Sequence, residues 1–455
     1  MNERILIMQM AKLGDFIQTT PLLANLRRKS EHAELVVAAE QPAVLAAADI
    51  SPLVDTVAEV DDGFDSLEHL GDFRDVFVLN SHLRAVSLAE TVRAQNRYGP
   101  RLDSDVINFT AAQKFLMTLM RQRRDFGRFN LVDIWTSLSP GSPPHPLVWP
   151  TVRPSALIPR SAEIKIGFQL GSRNHLRRWP VENFVQLASE LTRLRPEKDM
   201  TPVLLGSADE RALGAKFEKM STNQGLAAPV NLMGHTSLKE LGDATAGLDL
   251  LVTADTGVMH LAAAVGTPVL TLFFGPAYGP ETGPYGPGHV IYQAAAPCAP
   301  CRESGGCRRR QCLEMPVPGP TAQLAAWMIE QRNSPDTPPP DPDPPLPAGH
   351  RVWVTAADGF GQSLRPLGRP ALTADETLIH LITMAGRGVI RPDYQAAEPD
   401  LRQALAGYQF PARPLSVDGH FLAELAHQGF GDNLGRERFL HTARELSPAF
   451  GLELA

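Results

Sequence analysis

Short apolar runs alternate with amphipathic stretches through the first 150 residues of the chain. Four runs have the aliphatic, β-branched composition of buried parallel strands; they are ILIMQM (5–10), ELVVAA (34–39), TVAEV (56–60) and DVFVLN (75–80). A helix is predicted over 21–29, with Pro21 in its first turn. The alternation predicts a doubly wound α/β domain over residues 1–150.

Proline-rich sequence over 140–159 interrupts this pattern and is predicted to connect two lobes. A second series of apolar runs follows it: KIGFQL (165–170), PVLLG (202–206), LLVTAD (250–255), VLTLFF (269–274) and HVIYQ (289–293). We therefore expect a second Rossmann-like domain over 160–333. Two such domains in tandem would form a cleft, and clefts between domains commonly hold small ligands.

The last 120 residues have a different composition. Residues 335–347 contain eight prolines in thirteen positions, which is typical of an extended polyproline II spacer. A linker is therefore expected over 334–349. Helix-like patterns follow, for example over 376–384 and 421–427, so residues 350–455 are predicted to form a small helical extension. No chemical motif is evident in it.

The length of the chain indicates how many domains it contains, and its net charge excludes some classes of function. At 455 residues the chain is long enough for two or three domains. A net charge of -7 argues against a protein that coats nucleic acid. No apolar run is long enough to span a bilayer, and the first residues lack the pattern of a secretory leader. We expect a cytoplasmic protein with no nucleic-acid partner.

The stretch from Leu250 to Tyr285 carries the strongest functional signal. A strand leads into Asp255, Thr256 and Gly257, where a helix that carries His260 is predicted to begin. Orphan N–H groups and the positive end of a helix dipole favour a phosphate or diphosphate at such a point. The alternative is an ordinary Asp/Thr helix cap with a buried histidine.

Two further loops follow strands of the second domain. Arg173, Arg177 and Arg178 precede Trp179 and Pro180, and guanidinium groups match phosphate oxygens well. A solvated basic loop is the alternative. After the next strand, Asp209 or Glu210 could hydrogen-bond a ribose hydroxyl. Helix capping is the more common role for an aspartate at position 209.

The loop after the first strand contains Lys12, Gly14 and Asp15. An aspartate is ionised at neutral pH and could accept a proton from an incoming hydroxyl group. The alternative, which the sequence by itself favours, is that Asp15 only caps the first helix.

A basic amphipathic segment, KFLMTLMRQRRDFGR, covers residues 114–128. Its charged side chains, among them Arg121 and Arg124, could contact anionic lipid or the phosphates and carboxylates of a glycan acceptor. The apolar residues of the segment are expected to pack on the domain as one helix face. We expect at most a peripheral, salt-sensitive contact with the inner membrane leaflet.

All four cysteines of the chain lie in one short stretch, at Cys298, Cys301, Cys307 and Cys312. A reducing cytoplasm disfavours disulfides. The four thiolates could bind one zinc or iron ion as a structural site. Reduced, partly buried thiols are the alternative.

Taken together, these motifs resemble glycosyltransferase family nine, the family of ADP-heptose:lipopolysaccharide heptosyltransferases. The resemblance covers roughly residues 3–330. It rests on KLGD (12–15) with TTP (19–21), on the Arg-Trp-Pro segment (178–180), on DTGVMHLA (255–262), on FGP (274–276) and on TGPYG (282–286).

The resemblance implies a GT-B architecture of two facing Rossmann-like domains, with the acceptor bound by the first and the ADP-sugar by the second. It implies inverting transfer without a required metal or other cofactor. Asp15 becomes the candidate general base. Thr256 and Gly257 would hold the diphosphate, with Asp255 and His260 supporting the donor pocket.

Family members usually carry a lysine where this chain has Arg177, and arginine keeps the charge but donates no proton at neutral pH. Some relatives bind iron at cysteines like those of this chain. The expected partners are an ADP-sugar donor and a lipid-linked or core oligosaccharide acceptor. A non-catalytic nucleotide-sugar or metal-binding protein is the alternative. An NAD-dependent dehydrogenase is disfavoured because the first loop lacks G-x-G-x-x-G.

Overall fold

The computed structural model describes residues 3–61, 63, 66–104, 106–110, 113–114, 127–159, 163–294, 296, 298, 307, 310–333, 350–367, 374–390, 415–417, 422, 425–426, 433–446 and 452–454. The chain divides into two compact units. The first comprises residues 1–150, 357–363 and 371–455, and the second comprises 151–356 and 364–370. Within the described residues, no helix is both long and apolar enough to cross a membrane.

The first unit contains a five-stranded parallel sheet. Its strands are β1 (Arg4–Met8), β2 (Glu34–Ala39), β3 (Thr56–Glu59), β4 (Asp72–Val78) and β5 (Arg93–Tyr98). They lie in the order β3-β2-β1-β4-β5, with parallel registers throughout. The strand order reverses between β1 and β4, and ligands of open α/β sheets bind beyond the carboxyl ends of strands at such a reversal.

The four strands predicted for this unit are confirmed, while the fifth was missed. The sequence of β5, RAQNRY, is polar because this strand lies at the sheet edge. Two short strands, β6 (Arg101–Asp103) and β7 (Val106–Asn108), pair as an antiparallel hairpin.

The helices of the first unit up to residue 150 are α1 (Leu13–Lys29), α2 (Pro42–Asp49), α3 (Leu83–Thr91) and α4 (Leu131–Thr136). The prediction that α1 begins at Pro21 was wrong, since the helix begins eight residues earlier and Pro21 lies inside it. Proline has no N–H to bond the carbonyl four residues before it. Here the hydroxyl of Thr20 donates to the Ile17 carbonyl at 2.7 Å, so that carbonyl still has a hydrogen bond.

The second unit is built on an eight-stranded sheet. Its strands are β8 (Ile164–Gln169), β9 (Met200–Leu205), β10 (Val230–Asn231), β11 (Leu250–Ala254), β12 (Val269–Phe273), β13 (Val290–Ala294), β14 (His350–Ala357) and β15 (Gln362–Pro366). The order is β10-β9-β8-β11-β12-β13-β14-β15. The six strands from β8 to β13 are parallel, and their order reverses between β8 and β11.

Seven α-helices belong to the described part of this unit. They are α5 (Val181–Leu194), α6 (Arg211–Asn223), α7 (Leu238–Ala246), α8 (Gly257–Ala264), α9 (Gly279–Thr282), α10 (Gln311–Glu314) and α11 (Pro318–Asn333). Helices α5 and α11 pack against each other over the sheet, and their apolar faces join the strands in one large core. Burying such faces is the dominant stabilising contribution to a domain of this kind.

The chain after the proline-rich segment differs from the expectation of a helical extension. Strand β14 pairs antiparallel with β13, with Ile291 opposite Trp353, and β15 pairs with β14. Trp353 is fully buried in the core beneath this hairpin. The helix predicted over 376–384 is confirmed as part of α12 (Ala374–Ile390), which packs against α13 (Asn433–Leu446). The predicted linker and most of 421–427 lie outside the described residues.

The turn between β14 and β15 belongs to the first unit and carries a buried ion pair. Arg387 of α12 donates to the Asp358 carboxylate at 2.7 Å, and the two side chains are 3% and 1% exposed. The Asp358 carboxylate also accepts from the backbone N–H groups of Phe360 and Gly361. A Cβ on Gly361 would lie 1.9 Å from the carboxylate of Asp133, so a larger residue at this position would displace that carboxylate.

Candidate functional site

The carboxyl ends of β8 and β11 bring together two predicted donor residues of the second unit. Arg177 lies in a short 3-10 helix after β8, and Asp255 directly follows β11. The Arg177 Nη1 atom donates to Asp255 Oδ2 at 2.6 Å, and both side chains are largely buried. Because the strand order reverses here, the pair lies where a ligand of this sheet is expected.

Trp179 holds the loop that carries the arginines. Its indole is buried, donates from Nε1 to the Pro316 carbonyl at 3.0 Å, and packs edge-on against Phe184. Within the loop, Arg178 Nε donates to the Ser172 carbonyl at 2.5 Å. Arg178 therefore shapes the loop, whereas Arg177 reaches the adjacent strand end.

Helix α8 begins beside this ion pair. Its N-cap residue, Thr256, makes no side-chain hydrogen bond to the first turn. Instead the Thr256 hydroxyl is 3.1 Å from the hydroxyl of Thr253. The sequence alternative of a plain side-chain cap is therefore wrong for Thr256. The first-turn amides, which include that of Gly257, carry the positive end of the helix dipole.

His260 lies on the first turns of α8 and is buried, at 4% exposure. Burial lowers the pKa of its imidazole to about 3, so the ring is neutral at pH 7. No described residue forms a hydrogen bond with its Nδ1 atom. His260 can thus offer a neutral hydrogen-bonding group near the helix terminus, but no positive charge.

Glu210 occupies the third loop of this edge. Its carboxylate accepts from the Ser207 backbone N–H at 3.0 Å and from Gln169 Nε2 at 3.2 Å. A Cβ at Gly171 would lie 2.0 Å from Glu210 Oε1, so a larger residue there would displace this carboxylate. The capping role predicted for Asp209 is performed by Glu210, since the capping box has Glu210 at its third position. No local pattern indicates the contact with Gln169.

In the first unit, Asp15 lies in the first turn of α1. The exposed Lys12 is the N-cap residue, and its backbone N–H donates to Asp15 Oδ2 at 3.0 Å. The capping role of Asp15 is therefore present in the structure. Such a bond uses one carboxylate oxygen and is compatible with proton transfer by the same side chain.

Three of the four cysteines converge in the second unit. Cys298 is exposed, Cys307 is partly buried and Cys312 is buried. All three line one small cavity, whose other described walls include Leu176, Gly275, Pro276 and Leu313. The backbone N–H of Arg310 donates to Cys307 Sγ at 3.4 Å.

Cys301 lies outside the described residues, as do Arg121 and Arg124. Within the described residues, no group of three His, Cys, Asp or Glu side chains has the geometry of a metal site.

Comparison with known proteins agrees with this geometry. The family model Glycosyltransferase family 9 (heptosyltransferase) matches residues 153–310. Lipooligosaccharide heptosyltransferase 2 of Haemophilus influenzae is 33% identical over 123 residues, which are 27% of this chain and 33% of the relative. Lipopolysaccharide heptosyltransferase 2 of Escherichia coli is 29% identical over 154 residues, 32% of this chain and 42% of the relative. The matches span about a third to two-fifths of these relatives.

Solved structures share the fold over a longer range. The glycosyl transferase family 9 structure from Veillonella parvula aligns with a TM-score of 0.54 and 18% identity, over 73% of this chain and 98% of that chain. The E. coli ADP-heptose lps heptosyltransferase II aligns with a TM-score of 0.50 and 19% identity, over 73% and 100%. The predicted GT-B class is thereby confirmed, and residues 153–310 match the glycosyltransferase family 9 (heptosyltransferase) model.

Proposed function

We propose that this protein is an inverting, metal-independent glycosyltransferase that moves heptose or a related sugar from an ADP-sugar to a lipopolysaccharide core or similar glycan. The observation that carries the proposal is the Arg177–Asp255 pair beside the N-terminus of α8. In this proposal the second unit binds the donor, and the first unit, with residues 1–150, binds the acceptor. Named relatives that transfer heptose support the choice of sugar.

The donor diphosphate would be held by several groups at the carboxyl edge of the second sheet. The amides of Thr256 and Gly257 at the helix terminus and the guanidinium of Arg177, oriented by Asp255, would contact its oxygens. Arg178 would add positive charge to the same loop. Glu210 would hydrogen-bond a ribose hydroxyl. His260 would contribute only as a neutral group because its pKa is about 3.

In the reaction, the acceptor hydroxyl attacks the anomeric carbon while the carboxylate of Asp15 removes its proton. The bond from the anomeric carbon to the diphosphate oxygen breaks, and ADP leaves from the opposite face. Negative charge that develops on ADP is stabilised by the helix terminus and by Arg177. Lys12, Arg121 and Arg124 are proposed to contact anionic groups of the acceptor or of the membrane surface.

The proposed donor site predicts a specific defect in an Arg177→Leu variant. We expect KM for ADP-heptose to rise about 10- to 100-fold, because a charged hydrogen-bonding group is lost and Asp255 loses its partner. Initial rates of ADP release with a lipid-core acceptor measure this effect. Arg193→Leu is the matched control, since Arg193 is an exposed arginine paired with Glu190.

An unchanged KM for ADP-heptose in Arg177→Leu would show that Arg177 does not bind the donor. A wild-type protein that binds ADP-heptose but releases no ADP in the presence of acceptors would contradict the transferase function. That result would support a nucleotide-sugar binding protein instead.

We further propose that the four cysteines bind one structural zinc or iron ion. Support comes from Cys298, Cys307 and Cys312, which line one cavity although their described positions do not themselves form a metal site. The N–H to sulfur bond from Arg310 to Cys307 also supports the proposed site, because such bonds stabilise a thiolate. When bound, the ion would hold together a loop that packs beside Leu176, the neighbour of Arg177.

Protein purified without chelators is therefore expected to contain about one metal ion per chain, with all four thiols unreactive until the ion is removed. Elemental analysis and thiol titration measure the two quantities. Cys312→Ser should lower the metal content, whereas Thr222→Ala, an exposed change in α6, should not. Absence of metal together with four reactive thiols would show that the cysteines are merely reduced.

A further inference from the structure

Two buried carboxamides lie where the first sheet reverses its strand order. Gln9 directly follows β1, and Asn80 lies two residues beyond β4. Gln9 has no exposed surface and Asn80 is 8% exposed. Buried amides are costly unless their polar atoms are hydrogen-bonded, so their contacts show what holds them in place.

Asn80 binds the short segment between β1 and α1. Its Oδ1 atom accepts from the backbone N–H of Met10 at 2.5 Å, and its Nδ2 atom donates to Gln9 Oε1 at 2.9 Å. The same Gln9 oxygen accepts from the Ala11 N–H at 3.3 Å. Two consecutive backbone amides of the segment are thus held by side chains from two neighbouring strands.

The amide nitrogen of Gln9 reaches the first turn of α1. Gln9 Nε2 donates to Thr19 Oγ1 at 2.9 Å and lies 3.4 Å from the Asp15 carbonyl. The Thr19 hydroxyl donates to that same carbonyl at 2.8 Å. The backbone of Asp15 is therefore fixed by Gln9 and Thr19, and its preceding segment is fixed by Gln9 and Asn80.

We propose that Gln9, Thr19 and Asn80 form a polar clasp that positions Asp15 for proton transfer. This inference rests on the proposed function, in which Asp15 is the general base. A base must be placed within hydrogen-bond reach of the proton it removes. A displacement of about 1 Å from that position can cost about 100-fold in rate. The clasp residues touch neither the donor nor the acceptor in this proposal.

Thr19→Val and Asn80→Ala test the clasp through kcat. We expect each change to lower kcat about 10- to 100-fold and to leave KM for ADP-heptose unchanged, because the donor is bound by other residues. Valine has the same shape as threonine, so we expect Thr19→Val to fold, and a loss of kcat then reports the loss of the hydroxyl group. Thr19→Ser restores the hydroxyl and should return kcat to near the wild-type value.

Asn25→Ala is the matched control. Asn25 is also a fully buried amide of α1, but it donates to the Pro143 carbonyl at 3.1 Å, away from Asp15. This variant should lower the melting temperature without lowering kcat. Equal effects of Asn25→Ala and Asn80→Ala on kcat would overturn the clasp.

Hydrogen exchange of a peptide that covers residues 10–16 separates failure of the clasp from failure of the proposed function. We expect faster amide exchange there in Asn80→Ala and Thr19→Val than in Asn25→Ala. Unchanged exchange would overturn the clasp even if the wild type is an active transferase. A wild type without transferase activity would overturn the proposed function, and with it the catalytic purpose of the clasp.

Discussion

An Asp15→Asn variant is expected to lose about 100- to 10,000-fold in kcat, the range that general base catalysis contributes. Asparagine has the shape of aspartate and keeps an oxygen that can accept from the Lys12 N–H, as Asp15 Oδ2 does at 3.0 Å. It cannot remove a proton. Affinity for ADP-heptose should stay nearly constant, because the donor is bound by the second unit in the proposed function. Single-turnover rates and donor titrations measure the two effects.

The same variant distinguishes a base from a helix cap. If Asp15 only caps α1, Asp15→Asn should keep wild-type turnover, whereas Asp15→Ala should lower the stability of the protein. Asp49→Asn is the matched control, since Asp49 is an exposed aspartate at the end of another helix of this unit. Near-normal kcat in Asp15→Asn would contradict the assignment of Asp15 as the base.

The second large effect concerns stability. We expect Asp358→Ala to lower the free energy of unfolding of the first unit by about 3–5 kcal/mol. The change would leave the Arg387 guanidinium buried without its carboxylate partner and would remove the acceptor for two backbone N–H groups. Urea unfolding, followed by a probe in the first unit, measures this change.

An exposed ion pair supplies the control for Asp358→Ala. Glu190→Ala breaks the pair of Glu190 with the exposed Arg193 on α5, and exposed pairs contribute less than about 1 kcal/mol. A loss below that value in Asp358→Ala would show that the buried pair contributes little. Replacing both partners, as in Asp358→Leu with Arg387→Met, should recover part of the stability because no charge then remains buried.

Most of the parallel strands in the two large sheets could be predicted from the sequence. Parallel strands that are buried on both faces are continuously apolar, and nine predicted apolar runs coincide with strands of the two sheets. Strand β5 was missed because it lies at the sheet edge, where polar side chains are tolerated, and its sequence is not an apolar run. Strand β14 was missed because it pairs with β13 across 56 to 64 residues, and a local pattern carries no information on such a distant partner.

The candidate site was predictable where functional side chains directly follow a predicted strand. Arg177 and Asp255 each follow an apolar run, and the strand order of the fold brings them within 2.6 Å. The hydrogen bond of Gln9 with Asn80 joins residues 71 positions apart. In the sequence, each of these two residues looks like an ordinary polar residue at the end of a strand, so neither pattern indicates the hydrogen bond. The low pKa of His260 follows from tertiary burial, and the structure thereby confirms the buried histidine that the sequence analysis gave as an alternative.

The antiparallel strand β14 has a consequence for how the protein tolerates shortening. It covers one side of β13, and Trp353 fills part of the core under the added hairpin. Without this hairpin, β13 would expose a row of unpaired backbone N–H and C=O groups, next to the apolar core surface that Trp353 covers. Open edges of that kind recruit strands from other molecules and cause aggregation. The hairpin of β14 and β15 is thus expected to protect the second unit from self-association.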